Sequence, residues 1–269
     1  MLPELVHEQI ENRIKEDGKI TPLEQRGGYW FKRDDLYEEH GSRGGKTRTC
    51  WYLCQKAKKE GYEGVVTAGS KKSPQIQIVA MLGKALGLKV RAHCPKGELG
   101  TELGIAKEYG AEIIQHRAGY NNVIIARARE DAAETGYYEI PFGMEDWEAV
   151  YQTATQVKSL VDKQEIKRLV VPVGSGMSLS GILWGIDYFN LDLEVVGVVV
   201  GADPLKRLET FAPAWWKTDV SLVYSKYDYH DMYPNPVLEG VELDPIYEGK
   251  MLDFIEEGDC LWCVGIRRL

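Results

Sequence analysis

Arg168-Leu169-Val170-Val171-Pro172-Val173-Gly174-Ser175-Gly176-Met177-Ser178-Leu179-Ser180-Gly181 reads as an apolar strand, a glycine–serine turn and the opening of a helix. After Arg168 the strand carries no charge and is rich in β-branched residues, as in a parallel strand covered on both faces. The turn offers unobstructed backbone N–H groups and hydroxyls at a helix start, the arrangement that cradles a phosphate. Leu179 stands where a dinucleotide fingerprint needs its third glycine, so the loop is not that fingerprint. A plain strand-to-helix turn has the same local pattern, so the rest of the chain must decide.

Working outward, strands and helices alternate. Strands are predicted at 64–68, 90–94, 112–115, 137–140, 168–173 and 195–200, with helices at 3–15, 47–60, 73–85, 101–109, 122–134, 148–161 and 179–188. Gly61, Gly87, Gly110 and Gly136 close four of the helices. This rhythm predicts an α/β protein with mostly parallel sheets. Residues 28–37 read as an extended segment with turns. Residues 212–245, with Trp215, Trp216, several tyrosines and four prolines, break the rhythm and are expected to be a long irregular excursion. Core packing is the plain reading of the two tryptophans, a lid or dimer contact the sharper one.

The 269 residues suffice for one large domain or two modest ones. A net charge of −8 repels phosphate backbones and argues against non-specific nucleic-acid binding. Two local basic patches, Arg43/Lys46/Arg48 and Lys71/Lys72, stand against that background. No apolar run is long enough for a membrane helix. Five cysteines and no leader pattern point to a reduced, cytoplasmic setting. Cys260-x-x-Cys263 has metal or redox spacing, but without a second pair and within an apolar run it reads as buried strand, and no metal is expected.

Two further segments carry possible chemistry. Gly44-Gly45-Lys46-Thr47 puts a lysine in a tight turn before a helix. It is not a P-loop, because His40 occupies the first glycine position and the preceding residues are highly charged rather than a buried strand. Leu243-Asp244-Pro245-Ile246-Tyr247-Glu248-Gly249-Lys250 is a turn with a tyrosine beside a carboxylate. A lysine for a carbonyl, a glycine–serine loop for a phosphate and a carboxylate for a ring nitrogen together suit a phosphorylated aldehyde cofactor.

In order and spacing these motifs resemble the fold type II, tryptophan synthase β-like pyridoxal-phosphate (PLP) enzymes. The similarity is greatest to the branch holding 1-aminocyclopropane-1-carboxylate deaminase and D-cysteine desulfhydrase. Phe31-Lys32-Arg33-Asp34-Asp35-Leu36 with Gly44-Gly45-Lys46-Thr47-Arg48, Thr67-Ala68-Gly69-Ser70 through Ser73-Pro74-Gln75, Ile140-Pro141-Phe142-Gly143, the 174–181 loop and the 243–250 segment carry the resemblance. It implies two three-layer α/β/α domains, 1–46 with 148–269 and 47–147, with PLP in the cleft between them, and a homodimer. It implies Lys46 as the Schiff-base lysine, Ser73 beside the substrate carboxylate and Tyr247 facing the substrate. Gln75, Gly174, Ser175, Gly176, Met177 and Ser178 would hold the cofactor, with Glu248 at its ring nitrogen.

Pro74 and Met177 depart from the family's asparagine and glycine, and the 233–242 stretch is shorter than in the family. The implied activity is a lyase or deaminase acting on a small amino acid through a Cα carbanion, with deamination, β-elimination and decarboxylation all open. Alternatives are a decarboxylase acting on an amino-acid group attached to a larger molecule, such as a modified nucleotide in phage DNA, and a catalytically silent PLP-binding protein.

Overall fold

The computed structural model describes residues 1–16, 19–71, 73–117, 121–201 and 203–265. The chain begins with α1 (Pro3–Glu16), β1 (Leu23–Arg26), β2 (Tyr29–Arg33), β3 (Glu38–Glu39) and β4 (Ser42–Arg43). It continues through α2 (Gly45–Lys59), β5 (Gly64–Ala68), α3 (Gln75–Ala85), β6 (Lys89–Pro95), α4 (Thr101–Glu108), β7 (Glu112–His116), α5 (Asn121–Thr135) and β8 (Tyr138–Ile140). Then come α6 (Trp147–Gln156), β9 (Arg168–Val173), α7 (Met177–Phe189), β10 (Glu194–Val199), α8 (Leu205–Phe211), α9 (Trp216–Asp219), β11 (Val220–Tyr224), β12 (Val237–Leu238), β13 (Val241–Glu242) and β14 (Cys260–Cys263).

Two compact units form. The larger comprises Met1–Tyr37 and residues 147–265, the smaller Glu38–Asp146. Sequence reading put the first boundary after Lys46. The structure assigns 38–46 to the smaller unit, because the β3–β4 hairpin packs on α2 and α3. Ser42 Oγ also hydrogen-bonds Thr47 Oγ1 in the first turn of α2 at 2.8 Å.

The larger unit is a six-stranded sheet in the order β1-β2-β14-β9-β10-β11. It is parallel except for the β1–β2 hairpin at one edge. The period of two sorts its side chains. Leu169, Val171, Val173, Val195, Val199, Cys260 and Trp262 face a core shared with α7 and α8, while Phe31, Val170, Val196, Val198, Leu261 and Cys263 face the other side. That second face is covered by the β12–β13 hairpin and a 3-10 turn at Glu248–Asp253. Cys260 and Cys263 therefore lie on opposite faces of one buried strand and cannot share a metal ion or a disulfide.

The 212–245 region proves more regular than its composition suggests. Val220–Tyr224 joins the sheet as a parallel edge strand. Its short, half-exposed sequence lacks the continuous apolar run that marks the central strands. Trp216 is buried, and Trp215 donates Nε1–H to Asp187 Oδ1 at 2.9 Å while packing on the core, so both serve packing.

The smaller unit is a four-stranded parallel sheet, β7-β6-β5-β8. On one face Val66 and Ala68 meet Ile124 and Ala128 of α5. The period of two turns Thr67 to the other face, where it meets Gln75 at the start of α3.

Candidate active site

Two groups of sequence-predicted site residues, 174–178 after β9 and Ser73 with Gln75 after β5, follow the carboxyl ends of parallel strands, where open α/β sheets bind ligands, while Lys46 follows the antiparallel β3–β4 hairpin. In the larger unit β9 ends at Val173 and gives way to the 174–176 turn. Gly176 is the N-cap of α7 with φ 93°, a left-handed conformation that favours glycine. It provides no side-chain cap, so the first N–H groups of α7 stay open to a ligand. Gly174 is required for space: a Cβ there would lie 2.7 Å from the Tyr247 ring. Ser175 and Ser178 are half-buried. Met177 departs from the family's glycine at no conformational cost, because its φ is not positive and its side chain is buried in the core. Only its backbone N–H is placed to serve a phosphate.

Glu248 begins the 3-10 turn and is buried. Its Oε1 accepts N–H groups from Val264 at 2.5 Å and Gly265 at 3.0 Å, just past the end of β14. Its Oε2 is buried and has no hydrogen-bond partner. Burial pushes the carboxyl well above the usual carboxylate range, Asp244 pushes the same way, and the two backbone N–H groups only partly oppose them. Asp244 holds the turn, its Oδ1 accepting from Ile246 N at 2.9 Å and Tyr247 N at 3.0 Å. A buried acid with one oxygen clamped and the other unsatisfied lacks a donor partner.

In the smaller unit Lys46 sits in the first turn of α2, behind the N-cap Gly44 with φ 98°. Ser73 Oγ accepts the Gln75 N–H at 3.3 Å, part of the turn that opens α3. Gln75 is buried and largely committed to the protein. Its amide donates to Thr67 Oγ1 at 3.0 Å and Pro141 O at 2.8 Å, and its Oε1 accepts Gly143 N–H at 2.8 Å. Both donors are used, so Gln75 ties β5, the end of β8 and the 142–144 turn together. Any cofactor contact from it must come through the second lone pair of Oε1.

The structure thus brings Gly174 and Tyr247 together, places Glu248 beside the end of β14, and puts Lys46 at the start of α2 and Ser73 with Gln75 at the start of α3 in the smaller unit. Of the basic patches, Arg43 pairs with Glu38 at 2.6 Å, and Lys72 lies outside the described residues. Two neighbours escaped sequence reading. Gly201 lies close to Gly174, and Tyr229 packs beside Gly201 and edge-on to Tyr247 at 6.1 Å. The signal for Gly201 was a glycine directly after the very apolar 195–200 run; nothing in the sequence marks Tyr229 among its neighbouring tyrosines. Among the described residues no group of three or more His, Cys, Asp or Glu is placed to hold a metal ion, and no helix is long and apolar enough to cross a membrane.

In the larger unit, an open helix N-terminus behind a glycine turn and an unsatisfied buried acid suit a phosphorylated ring cofactor. The family model described as pyridoxal-phosphate dependent enzyme matches residues 15–222, and the chain belongs to that family, whose cofactor is pyridoxal 5′-phosphate. A putative 1-aminocyclopropane-1-carboxylate deaminase of Thermotoga maritima is 30% identical over 67% of this chain and 62% of its own length. One of Pyrococcus horikoshii is 29% identical over 64% of this chain and 55% of its own. The chain therefore spans less than two thirds of the curated relatives it matches. Among solved structures, a 1-aminocyclopropane-1-carboxylate deaminase homologue superposes with TM-score 0.81 at 23% identity, covering 92% of this chain and 89% of that one. The processed form of threonine deaminase isoform 2 from Solanum lycopersicum superposes with TM-score 0.72 at 14% identity, covering 99% of this chain and 85% of that one. At these identities the superpositions establish the fold.

The residues present fit PLP. The unsatisfied Oε2 of Glu248 suits a ring-nitrogen proton, and the uncapped start of α7 suits a phosphate.

Proposed function

We propose that the protein is a PLP-dependent lyase or deaminase acting on a small amino acid, with Lys46 as the residue that carries the cofactor. The observation that carries this reading is Glu248, a buried carboxyl with one oxygen fixed by two backbone N–H groups and the other unsatisfied. Bound PLP supplies an electron sink for charge that develops at the substrate Cα.

The chain's own residues supply the rest. Backbone N–H groups of Ser175, Gly176, Met177 and Ser178 bind the phosphate. Glu248 Oε2, buried and without a partner, would hold the proton of the ring nitrogen, which would strengthen the sink. Ser73 Oγ binds the substrate carboxylate, and Tyr247 walls the phosphate loop. Lys46 would carry the cofactor, and its Nζ would be the base that takes a proton at the substrate Cα. The working form is a homodimer in a reducing compartment; five free, buried thiols support the last point.

The deaminase names of the Thermotoga and Pyrococcus relatives support a small amino acid as substrate. The test is ammonia release from 1-aminocyclopropane-1-carboxylate, D-cysteine, L-serine and L-threonine by PLP-loaded protein. Release from at least one, lost in Lys46→Ala, is expected. A protein that carries PLP on Lys46 yet releases ammonia from none overturns the lyase or deaminase reading.

A further inference from the structure

Lys250 is fully buried, yet the cofactor chemistry gives its side chain no task. Its Nζ donates to Asp228 O at 2.7 Å, and its backbone N–H donates to Tyr247 O at 3.1 Å. One residue thus joins the turn that carries Tyr247 to residues 225–236, the connection between β11 and β12 that carries Tyr229. The same connection is fastened on both sides of that point. Lys226 Nζ pairs with Asp253 Oδ2 at 3.1 Å, Tyr233 OH donates to Asp253 Oδ1 at 3.1 Å, and Tyr233 N–H donates to Pro245 O at 2.7 Å. Gly249 lets the connection come close: a Cβ there would lie 2.8 Å from Pro236 Cβ and 3.0 Å from Tyr233 Cβ.

What the connection carries to the site is a ring. Gly174 and Gly201 follow the adjacent parallel strands β9 and β10, and a Cβ on Gly201 would lie 4.0 Å from Gly174 Cα. Each glycine has a tyrosine against it. A Cβ on Gly174 would lie 2.7 Å from the Tyr247 ring, and one on Gly201 would lie 3.4 Å from the Tyr229 ring. The two rings meet edge-on, with planes 76° apart and centroids separated by 6.1 Å. Tyr247 is therefore bounded by Gly174 on one side and by Tyr229 on another. The second boundary exists only while residues 225–236 are held against the turn.

We propose that Lys250 is a positioning residue: its buried ammonium holds Tyr229 against Gly201, and the Tyr229 ring fixes Tyr247 in the orientation that receives a small amino acid.

The inference rests on the reading that Tyr247 faces the substrate. A buried ammonium is costly and is kept only where its hydrogen bonds are made. The Lys226–Asp253 pair cannot replace it, because the Lys226 side chain is 68% exposed and an ion pair in water contributes little. The bond from Lys250 to Asp228 O is short and charge-assisted, its donor is shielded from water, and it grips the chain one residue from Tyr229. An edge-on ring pair is worth up to about tenfold in an equilibrium constant. Losing the Lys250 ammonium or the Tyr229 ring removes the same wall, so the two losses do not add.

The test uses the full chain in two forms. In cofactor-free protein, nuclear Overhauser contacts between the Tyr229 and Tyr247 ring protons are expected in wild type and lost in Lys250→Met, which keeps an unbranched apolar stem. In PLP-loaded protein, 1-aminocyclopropane-1-carboxylate, L-serine and L-threonine are titrated by the change in the visible band. For those that bind, the dissociation constant is expected to rise about tenfold in Lys250→Met and in Tyr229→Ala and no further in the double variant, while PLP affinity stays within about threefold. Tyr229→Phe keeps the ring and is expected to bind them within about threefold of wild type. Additive losses in the double variant, or a Tyr229–Tyr247 contact that survives Lys250→Met, overturn the proposal. Loaded protein that binds none of the three counts against the proposed reaction, and the ring contacts in cofactor-free protein then decide this inference alone. Should Lys250→Met fail to fold, Tyr229→Ala and Tyr229→Phe decide, and equal affinities in the two overturn it.

Discussion

Replacing Glu248 by glutamine separates the two roles assigned to that side chain, because the exchange preserves shape and removes titration. In cofactor-free protein the buried carboxyl is pushed well above its ordinary value of 4.5, first by burial and then by Asp244. The folded state therefore holds the proton more tightly than the unfolded chain does. Stability from this group is complete below pH 4.5 and is lost as the pH rises toward the folded value. Each pH unit between the two values costs about 1.4 kcal/mol. That corresponds to about 2–4 °C of melting temperature for a chain of this size.

Glutamine keeps an oxygen for the Val264 and Gly265 N–H groups but leaves a buried amide unsatisfied, a penalty of about 1–3 kcal/mol that does not vary with pH. Scanning calorimetry of both cofactor-free proteins from pH 4.5 to 8 thus reads a difference of slopes. Wild type is expected to lose stability relative to Glu248→Gln as the pH rises. With PLP bound, a proton shared at the ring nitrogen compensates the buried charge, and the divergence is expected to shrink. Parallel pH profiles of the two cofactor-free proteins would refute the placement of an unsatisfied acid at the end of β14.

Other perturbations test separate parts of the account. Gly174→Ala places a Cβ 2.7 Å from the Tyr247 ring, so PLP affinity, followed by absorbance titration, is expected to fall about tenfold or more while the far-ultraviolet circular dichroism is unchanged. Gln75→Ala removes the three hydrogen bonds to Thr67, Pro141 and Gly143 at a buried position, and denaturant melts are expected to show about 2–4 kcal/mol lost. Gly185→Val drives a side chain into Ala154 O, 2.6 Å from the glycine's would-be Cβ, and is expected to leave the chain insoluble because α6 and α7 cannot approach.

Most of the fold was legible because the central strands announce themselves. The 64–68 and 169–173 runs are buried on both faces, and four helices stop at glycines with φ between 68° and 91°. What escaped was structure whose stability comes from neighbours. Val220–Tyr224 is half-exposed and becomes a strand only by pairing with β10. The β3–β4 hairpin follows α2 and α3 into the smaller unit, although its charged sequence gives no boundary signal. The glycine turn at 174–176 and the carboxylate of Glu248 could be singled out from residue type and order alone. The engagement of Gln75 with three protein groups and the approach of Tyr229 to Gly201 depend on distant segments and had no local pattern to betray them.

Carriage of PLP by Lys46 is the central claim, and a spectrum taken before and after borohydride reduction, followed by peptide mass mapping, tests it most directly. A visible band that disappears on reduction, with a pyridoxyl group on the peptide containing Lys46, is the expected result. PLP-saturated protein that shows no such band and no adduct on Lys46 would contradict the account, and the 174–178 loop would then be the site of a different phosphate.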